Sequence, residues 1–388
     1  MRLRGIGIVS AKICDWVSVG AGKSDRWTEL RRTKWRAPAP LMPMLKSYYQ
    51  NPHVCRRIRE FLGAERTGGI SCRYLATGTA SDTHWQLRPT EELSTCLTAG
   101  LDISRSLWDR DSLIADLDIE YVNFDRPADV YLYPEPAFEL QAPVVRPDEA
   151  LLADVGITPL HLLSGRGHHF VWRIRRESRV FRRLVRLGHA SAALASINSR
   201  PHPPTGESVS GDLGAAFAGL GLVMEFLGHR IKELGARASE IPVELTALEV
   251  GPSPRGREMV SVDISEYGDP LHVRTIRAPF SVYLKPRQQR WLFANGEASQ
   301  LPPLFLVPLH EMSVSEGLRV MRDPVATAEL AAPVSMRIPD NTTGMTRLVG
   351  AYAASPLARF HEWFYSEEHD PVSRWPETYD RTSLEVLP

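Results

Sequence analysis

The chain contains 388 residues, 43% of them hydrophobic, and its formal net charge is zero. This length suffices for one large domain or two modest ones, and the hydrophobic fraction argues against disorder along most of the chain. A neutral chain does not attract nucleic acid through its bulk charge, so such binding has to rest on local basic patches. We find no internal repeats and no extended low-complexity tract.

Cysteine usage and hydropathy limit the class of protein further. Cys14, Cys55, Cys72 and Cys96 form no C-x-x-C pair, so we expect neither a zinc module nor a disulfide framework. No signal-peptide pattern is present, and the longest apolar run, residues 213–224, is too short to span a bilayer. The sequence therefore predicts a cytoplasmic protein that makes no contact with membranes.

The predicted elements follow from hydrophobic periodicity and from the positions of glycine and proline. The first predicted elements are a helix over 44–62, a strand over 70–75, a helical or loop segment over 93–107 and a strand over 113–121. Next come a proline-rich stretch over 124–147 with a short strand at 130–133, a helix over 149–155 and a strand over 159–163. The remainder comprises helices over 181–197 and 215–234, strands near 244–250, 259–264 and 280–284, and helices beyond 310.

Strands and helices alternate irregularly and are joined by proline-rich segments, which favours an α+β fold over a doubly wound sheet. We predict three regions: a basic N-terminal extension (1–40), a central core (41–310) and a helical C-terminal region (311–388).

Three acids occupy one face of the predicted strand 113–121. Side chains alternate along a strand, so Asp116, Asp118 and Glu120 point one way while Leu117 and Ile119 point the other. Paired acids are common on solvated edge strands, but the apolar flanks favour a central strand. Like charges there repel, and Mg²⁺ or Mn²⁺ bound to the carboxylates would relieve the repulsion.

A glycine turn, residues 164–169, precedes a second apolar strand. Glycine lets the backbone approach a phosphate, and Ser164, Arg166 and His169 offer groups that suit a triphosphate. The alternative is an ordinary turn before a strand. His168 is expected to point away from His169 and to be structural.

Two later segments carry charge on apolar strands. Asp263 is expected to be metal-bound or paired, although hydrogen bonding within a local turn would also explain it. Downstream, Arg277 and Lys285 flank a proline-bounded segment that is, on its own, only a basic strand.

A phosphate-loop-like segment, residues 20–24, lacks part of the full pattern. That pattern requires glycine at position 17, where this chain has Val17, so the segment is interpreted as a basic loop.

Residues 166–186 contain eight arginines and a single acid, Glu177. Such one-sided charge predicts contacts with nucleic-acid phosphates. The candidates are Arg173, Arg175, Arg176, Arg179, Arg182, Arg183 and Arg186. The alternative is that these arginines pair with C-terminal acids such as Glu367, Glu368 and Asp370.

The ordered set of an aspartate-x-aspartate strand, an S-G-x-G-x-H turn and a later strand aspartate resembles the archaeo-eukaryotic primase superfamily. The segment 277–285, with its P-F-S-V core, is similar to the catalytic small subunit of primase, and residues 46–49 are similar to the start of that core. The resemblance covers roughly residues 40–310.

This resemblance implies a primase-like catalytic core with mixed or antiparallel sheets flanked by helices. The implied activity is template-directed nucleotidyl transfer by a DNA primase or DNA polymerase, with Mg²⁺ or Mn²⁺ as two bound ions and no zinc. The implied metal ligands are Asp116, Asp118 and Asp263, and the implied nucleotide-binding residues are Ser164, Arg166, His169, Arg277 and Lys285.

The implied partners are nucleoside triphosphates, a single-stranded nucleic-acid template and an accessory primase subunit or helicase. This chain departs from the family at Tyr283, where the small subunit has histidine, and in having a single arginine in its turn. Two alternatives stay open: a nucleic-acid-binding relative without activity that acts as a scaffold, and a metal-dependent nuclease.

Overall fold

The structure is a computed structural model, and it describes most of the chain beyond residue 40. The described ranges are 41–64, 69–78, 87–189, 192–201, 206–247, 256–272, 274–289, 292–293 and 301–367. The predicted N-terminal extension, with its phosphate-loop-like segment, lies outside these ranges, as do Glu368 and Asp370.

The described residues form helices and strands in mixed order. The helices are α1 (Leu41–Tyr48), α2 (Pro52–Phe61), α3 (Leu93–Thr98), α4 (Asp129–Leu132), α5 (Pro134–Asp154), α6 (Arg179–Leu187), α7 (Ala192–Ser199), α8 (Gly211–Gly235), α9 (Lys285–Gln288), α10 (Val314–Val320), α11 (Pro324–Leu330), α12 (Thr342–Ala353) and α13 (Pro356–Ser366). The strands are β1 (Cys72–Thr77), β2 (Asp102–Asp109), β3 (Ser112–Asn123), β4 (Leu160–Leu163), β5 (Gly167–Arg175), β6 (Val243–Thr246), β7 (Glu258–Asp263), β8 (Thr275–Arg277) and β9 (Val307–Pro308).

The strands form two sheets. A three-stranded antiparallel sheet has the order β1-β2-β8, and a six-stranded sheet has the order β6-β7-β3-β5-β4-β9. In the larger sheet β6 pairs with β7 in parallel and the other neighbours pair antiparallel. The predicted α+β class, with mixed sheets flanked by helices, is confirmed.

Helices α5 and α8 cover one face of the six-stranded sheet. The Phe138 ring of α5 lies 5.2 Å from the His168 ring of β5. Gly228 of α8 approaches the sheet so closely that an added Cβ would lie 3.7 Å from side-chain atoms of both Val262 and Ile264. Because strand side chains alternate, neighbouring residues Asp263 and His169 face the opposite side.

The proline-rich stretch 124–147 was predicted to contain a short strand at 130–133, and that prediction was wrong. It forms α4 and the 21-residue helix α5, which continues through Pro143 and Pro147. Buried residues of α5, including Phe138 and Val144, pack against the sheet and α8. This packing outweighs the local cost of proline, which helix propensity alone does not anticipate.

Two predicted helices are each divided in two. The predicted helix 44–62 breaks because the Asn51 side chain accepts hydrogen bonds from the backbone of His53 and Val54, at 2.8 and 3.3 Å, and so caps α2 at Pro52. The predicted helix 181–197 ends its first part at Gly188, where an added Cβ would lie 1.9 Å from the carbonyl oxygen of Ala215 in α8.

Two further predictions, of a helical or loop segment over 93–107 and of a strand at 280–284, need correction. Residues 102–109 form β2 rather than helix or loop, and residues 280–284 form a turn rather than a strand. Phe280 has a φ of 65°, which an extended strand excludes. The segment is fixed by backbone hydrogen bonds from Phe280 to Leu306 and from Tyr283 to Leu304, both 2.7 Å long.

The helices beyond residue 310 contact the core. Leu318 and Met321 lie in one buried cluster with Phe138, Leu163 and Val307. The described residues from 41 onward belong to one compact unit. The boundaries proposed at residues 40 and 310 stay predictions.

Among the described helices, α8 is long and apolar enough to cross a membrane by length and composition. The apolar run 213–224 therefore belongs to a longer helix than the sequence analysis supposed. In the most apolar window of α8, 56% of the residues are buried inside the protein, as in the core helices of soluble proteins, so this property is weak support for a membrane span.

Candidate functional site

The centre of the site is a row of three side chains across three neighbouring strands. Asp118 of β3 lies opposite His169 of β5 on one side and opposite Asp263 of β7 on the other. Residues paired in this way point to the same face of the sheet. Strand register thus brings together three groups that are far apart in the sequence.

Asp116 lies two residues earlier on the same face of β3. Its backbone is held by the Tyr267 hydroxyl, which accepts from the Asp116 N–H at 3.0 Å and donates to the Asp116 carbonyl at 2.7 Å. The Asp116 side chain is buried, and its Oδ1 atom has no hydrogen-bond partner within the described part of the chain. Burial and the nearby Asp118 carboxylate raise the pKa of Asp116 well above its usual range.

Asp116, Asp118 and His169 each offer one ligand atom, and these atoms all lie within 4.8 Å of one another. The two carboxylates suit a divalent cation, and the unpartnered buried oxygen of Asp116 is an atom that a cation would satisfy. The residues present therefore fit a bound divalent metal ion.

His169 was predicted to hold the triphosphate. In the structure its ring lies against Asp118, one of the proposed metal ligands. Its Nδ1 contacts Asp118 Oδ1. Burial alone would lower the pKa of His169, but Asp118, Asp116 and Glu120 together raise it to about 9. At neutral pH the imidazolium therefore offsets part of the negative charge of this cluster.

Asp263 lies at the end of β7, just before a 3₁₀ turn, Ser265–Gly268. Its Oδ1 accepts a hydrogen bond of 2.9 Å from the Ser265 N–H, as the local-turn interpretation predicts. Burial, and secondarily Asp118, raises the pKa of Asp263. The turn hydrogen bond and the position opposite Asp118 coexist.

The glycine turn joins β4 to β5 beside this row. The Ser164 N–H donates to the Gly167 carbonyl at 2.8 Å, and the Ser164 hydroxyl bonds the same carbonyl at 3.2 Å. A Cβ on Gly167 would lie 2.0 Å from the carbonyl oxygen of Ile119, so this position requires glycine. The Ser164 hydroxyl thus stabilises the turn itself.

Arg166 projects from the turn and forms an ion pair with Glu120 of β3. Burial would lower the pKa of Arg166, but Glu120 and its neighbours raise it above the ordinary value. Burial has the opposite effect on the acid and would raise the pKa of Glu120, but Arg166, Lys285 and His169 lower it. We call Asp116, Asp118 and Asp263 the acidic row. Arg166 and Lys285 therefore provide positive charge next to the acidic row.

Arg277 of β8 lies under an aromatic ring rather than free in a groove. Its Nε donates to both carboxylate oxygens of Asp102, at 2.7 and 2.9 Å. Its guanidinium carbon lies 4.2 Å from the centre of the Tyr283 ring. Burial would lower the pKa of Arg277, but Asp102 raises it.

Tyr283 links Arg277 to the glycine turn. A Cβ on Gly165 would lie 2.5 Å from the Tyr283 ring, so the ring packs directly against the turn. The Tyr283 and Tyr131 hydroxyls lie 3.5 Å apart. The residue that departs from the primase pattern thus fills the space between the turn and Arg277.

The seven arginines after the turn occupy different surroundings. Arg173 is half-buried beside Ile114, Arg175 pairs with Asp340 at 3.1 Å, and Arg176 pairs with Asp212 at 3.2 Å. In the described part of the chain, the α6 arginines form no ion pair with an acid. They are the exposed Arg179, Arg182 and Arg186 and the half-buried Arg183.

Two functional candidates escaped the sequence analysis, namely Glu266 and Tyr267 in the 3₁₀ turn after β7. Tyr267 holds the Asp116 backbone, as described above. Glu266 is 9% exposed, and its Oε1 has no hydrogen-bond partner in the ranges that the structure describes. Burial together with Asp116, Asp118 and Asp263 raises its pKa well above the usual range. Their signal in the sequence is only that they follow Asp263 closely.

No protein-family model matches the sequence. No curated protein matches it either. Among solved structures, the chain is similar to the polymerase domain from Mycobacterium tuberculosis ligase D in complex with DNA. The TM-score is 0.37 and the sequence identity is 15%, over 85% of this chain and 98% of that chain. A likeness at this level does not carry a functional argument, which has to rest on the site itself.

Proposed function

We propose that the protein is a metal-dependent nucleotidyltransferase that joins nucleotides on a nucleic-acid template, as a DNA primase, a DNA polymerase or both. The observation that carries the proposal is the row of Asp263, Asp118 and His169, with the buried, unpartnered oxygen of Asp116 beside it. Glycine turns and arginines are common, but a buried carboxylate beside two half-buried ones that face each other requires a cation or protons.

Asp116, Asp118 and Asp263 would hold two divalent cations, Mg²⁺ or Mn²⁺. Bound there, such cations activate the attacking 3′-hydroxyl and stabilise the pyrophosphate that leaves. His169 contacts Asp118 and would donate a hydrogen bond to a phosphate oxygen of the incoming nucleotide.

Positive charge for the triphosphate would come from Arg166 and Lys285, and also from Arg277 on the other side of the Tyr283 ring. Glu120 orients Arg166 through their ion pair, and Asp102 and the Tyr283 ring orient Arg277. Ser164 and Gly167 fix the turn, so that Arg166 projects toward the row of acids. No side-chain nucleophile is required, because the attacking group belongs to the primer or to the first nucleotide.

The proposed activity also implies partners and a place of action. Nucleoside triphosphates and a single-stranded template are the substrates, and the α6 arginines are template contacts. An accessory primase subunit or a helicase would act with the protein in the cytoplasm, at the nucleoid if the source is prokaryotic.

A direct assay tests the proposal. Purified protein is incubated with single-stranded DNA, labelled ribo- or deoxynucleoside triphosphates and Mg²⁺ or Mn²⁺, with and without a primer. We expect labelled product that needs the metal ion and disappears in Asp118→Asn. Shortened template would instead indicate a nuclease.

A second candidate is nucleic-acid binding without synthesis, as a scaffold in replication, repair or defence. It is favoured by the pairing of Arg166 with Glu120 and of Arg277 with Asp102, because guanidinium groups already paired to carboxylates are less available to phosphate. A mobility shift of the template with no product under any metal condition would support this candidate and overturn the first.

A further inference from the structure

The 3₁₀ turn after β7 holds a buried carboxyl group that the proposed reaction has not used. Glu266 lies between two residues that bind the acidic row: the Ser265 N–H donates to Asp263, and the Tyr267 hydroxyl bonds the backbone of Asp116. Its position relative to the site is therefore fixed on both sides.

The rest of the protein holds this turn rigidly. The Tyr267 ring packs over Gly221 of α8, where an added Cβ would lie 2.9 Å from the Tyr267 Cβ. The Phe217 ring of the same helix lies 5.1 Å from the Tyr267 ring. Glu266 is consequently attached to the same helix-backed sheet that presents the acidic row.

One oxygen of the buried Glu266 carboxyl group lacks a partner within the described ranges, although the group also bonds its own backbone N–H. More than nine-tenths of the residue is buried, and Oε1 has no hydrogen-bond partner among the described residues. Its strongest charge interaction is with Asp116, followed by Asp118 and Asp263. A buried carboxyl group with an unpartnered oxygen, in a turn tethered to Asp263 and to Asp116, is costly unless a cation or a proton compensates it.

We propose that Glu266 is a fourth carboxylate ligand of the metal site, which binds a divalent cation jointly with Asp116. The inference rests on the proposed metal-dependent function and deepens it. Mg²⁺ and Mn²⁺ both accept carboxylate ligands of this kind.

The test measures metal binding in the absence of nucleotide and template. Mn²⁺ is titrated into the metal-free full-length chain, and bound ions are counted by calorimetry and by electron paramagnetic resonance. Glu266→Gln keeps the shape and removes the charge. We expect this variant to bind one Mn²⁺ ion instead of two, or to bind the less tightly held ion with at least ~10-fold lower affinity.

Asp148→Asn is a matched control. Asp148 is another fully buried carboxyl group whose two oxygens have no hydrogen-bond partner among the residues described, but it lies in α5 and not in the turn after β7. This variant should bind Mn²⁺ like the wild type. Circular dichroism and melting curves verify that each variant is folded, and Glu266→Ala replaces Glu266→Gln should the latter not fold.

Two failures can be told apart. Wild-type Mn²⁺ binding by folded Glu266→Gln, together with loss of binding in Asp116→Asn, would overturn the role of Glu266 and leave the proposed function intact. Wild-type binding by both variants would overturn the metal site as a whole, and with it both proposals.

Discussion

Asp118 and Asp263 lie directly opposite each other on the neighbouring antiparallel strands β3 and β7. Like charges in this position destabilise a sheet, and here Asp116 adds a third acid on the same face. His169 compensates part of this charge from the other side of Asp118. The pairing of two aspartates at the centre of a sheet is thus the feature that most requires a functional explanation.

The acidic row is expected to be required for synthesis and to be unfavourable for stability without metal. Asp116→Asn and Asp118→Asn should each abolish nucleotide incorporation. Asp116→Asn should also raise the melting temperature of the metal-free protein, because it removes a buried carboxyl whose pKa is raised by burial and by Asp118. Incorporation assays and thermal melts in EDTA measure the two effects, and full activity in either folded variant would exclude this site.

The two adjacent histidines should have different roles because they face opposite sides of β5. His169→Ala, next to Asp118, should weaken nucleotide binding about tenfold or more. His168 is buried between aromatic rings of α5 and β5, and its Nδ1 lies 2.8 Å from His161 Nε2. His168→Ala should therefore cost about 1–3 kcal/mol of stability and leave nucleotide affinity unchanged. Nucleotide titration and urea unfolding on both variants check this, and the reverse pattern would contradict it.

The arginines of α6 are expected to contact the template backbone. Replacing Arg182, Arg183 and Arg186 with alanine should weaken template binding and reduce the log–log salt slope by about two units. The control replaces Arg230 of α8 and Arg237, which follows that helix; they pair with Glu233 at 2.6 and 2.7 Å. Binding isotherms at several salt concentrations measure the slopes. An unchanged slope with a lower melting temperature would favour the pairing of these arginines with C-terminal acids.

Part of the acid stability is expected to come from Glu225 of α8. Burial would raise its pKa, but the His229 and His361 rings, whose Nε2 atoms lie 3.9 and 3.3 Å from the carboxylate, lower it to about 2. The folded state then keeps Glu225 ionised at pH values where the unfolded chain binds a proton, so this stabilisation is present above about pH 4.5 and is lost as the pH falls toward 2.

Glu225→Gln should remove about 1–2 kcal/mol of stability at neutral pH, after allowance for solvent screening, and flatten the fall in stability between about pH 4.5 and 2. Chemical unfolding across this range measures it. Glu233→Gln, in a surface ion pair of the same helix, controls for the loss of a carboxylate. Identical pH profiles for wild type and Glu225→Gln would contradict the prediction.

Asp148 is expected to reduce stability at neutral pH. Burial, with a smaller contribution from Glu149, raises its pKa well above the usual range. The folded state therefore keeps the Asp148 proton at pH values where the unfolded chain loses it, so wild-type stability declines as the pH rises above about 4. Asp148→Asn should be more stable by about 1–3 kcal/mol at pH 7, and urea unfolding at pH 4 and pH 7 tests this difference.

The sequence by itself determined the features that depend only on residues close together in the chain, namely which side chains share a strand face and which fold class is adopted. Alternation along β3 put Asp116 and Asp118 on one face, and the same rule separated His168 from His169, because both follow from the two-residue period of a strand. Irregular alternation of helical and strand patterns sufficed for the α+β class.

Only the tertiary structure decided which groups meet. The pairing of β3 with β5 and β7 brought Asp118 between His169 and Asp263, and the turn after β7 brought Tyr267 to Asp116. The helix α5, with two internal prolines, forms because its buried face packs against the sheet and α8. Strand register and packing arise from contacts between distant segments, and a local pattern carries no information about which distant segment lies opposite it.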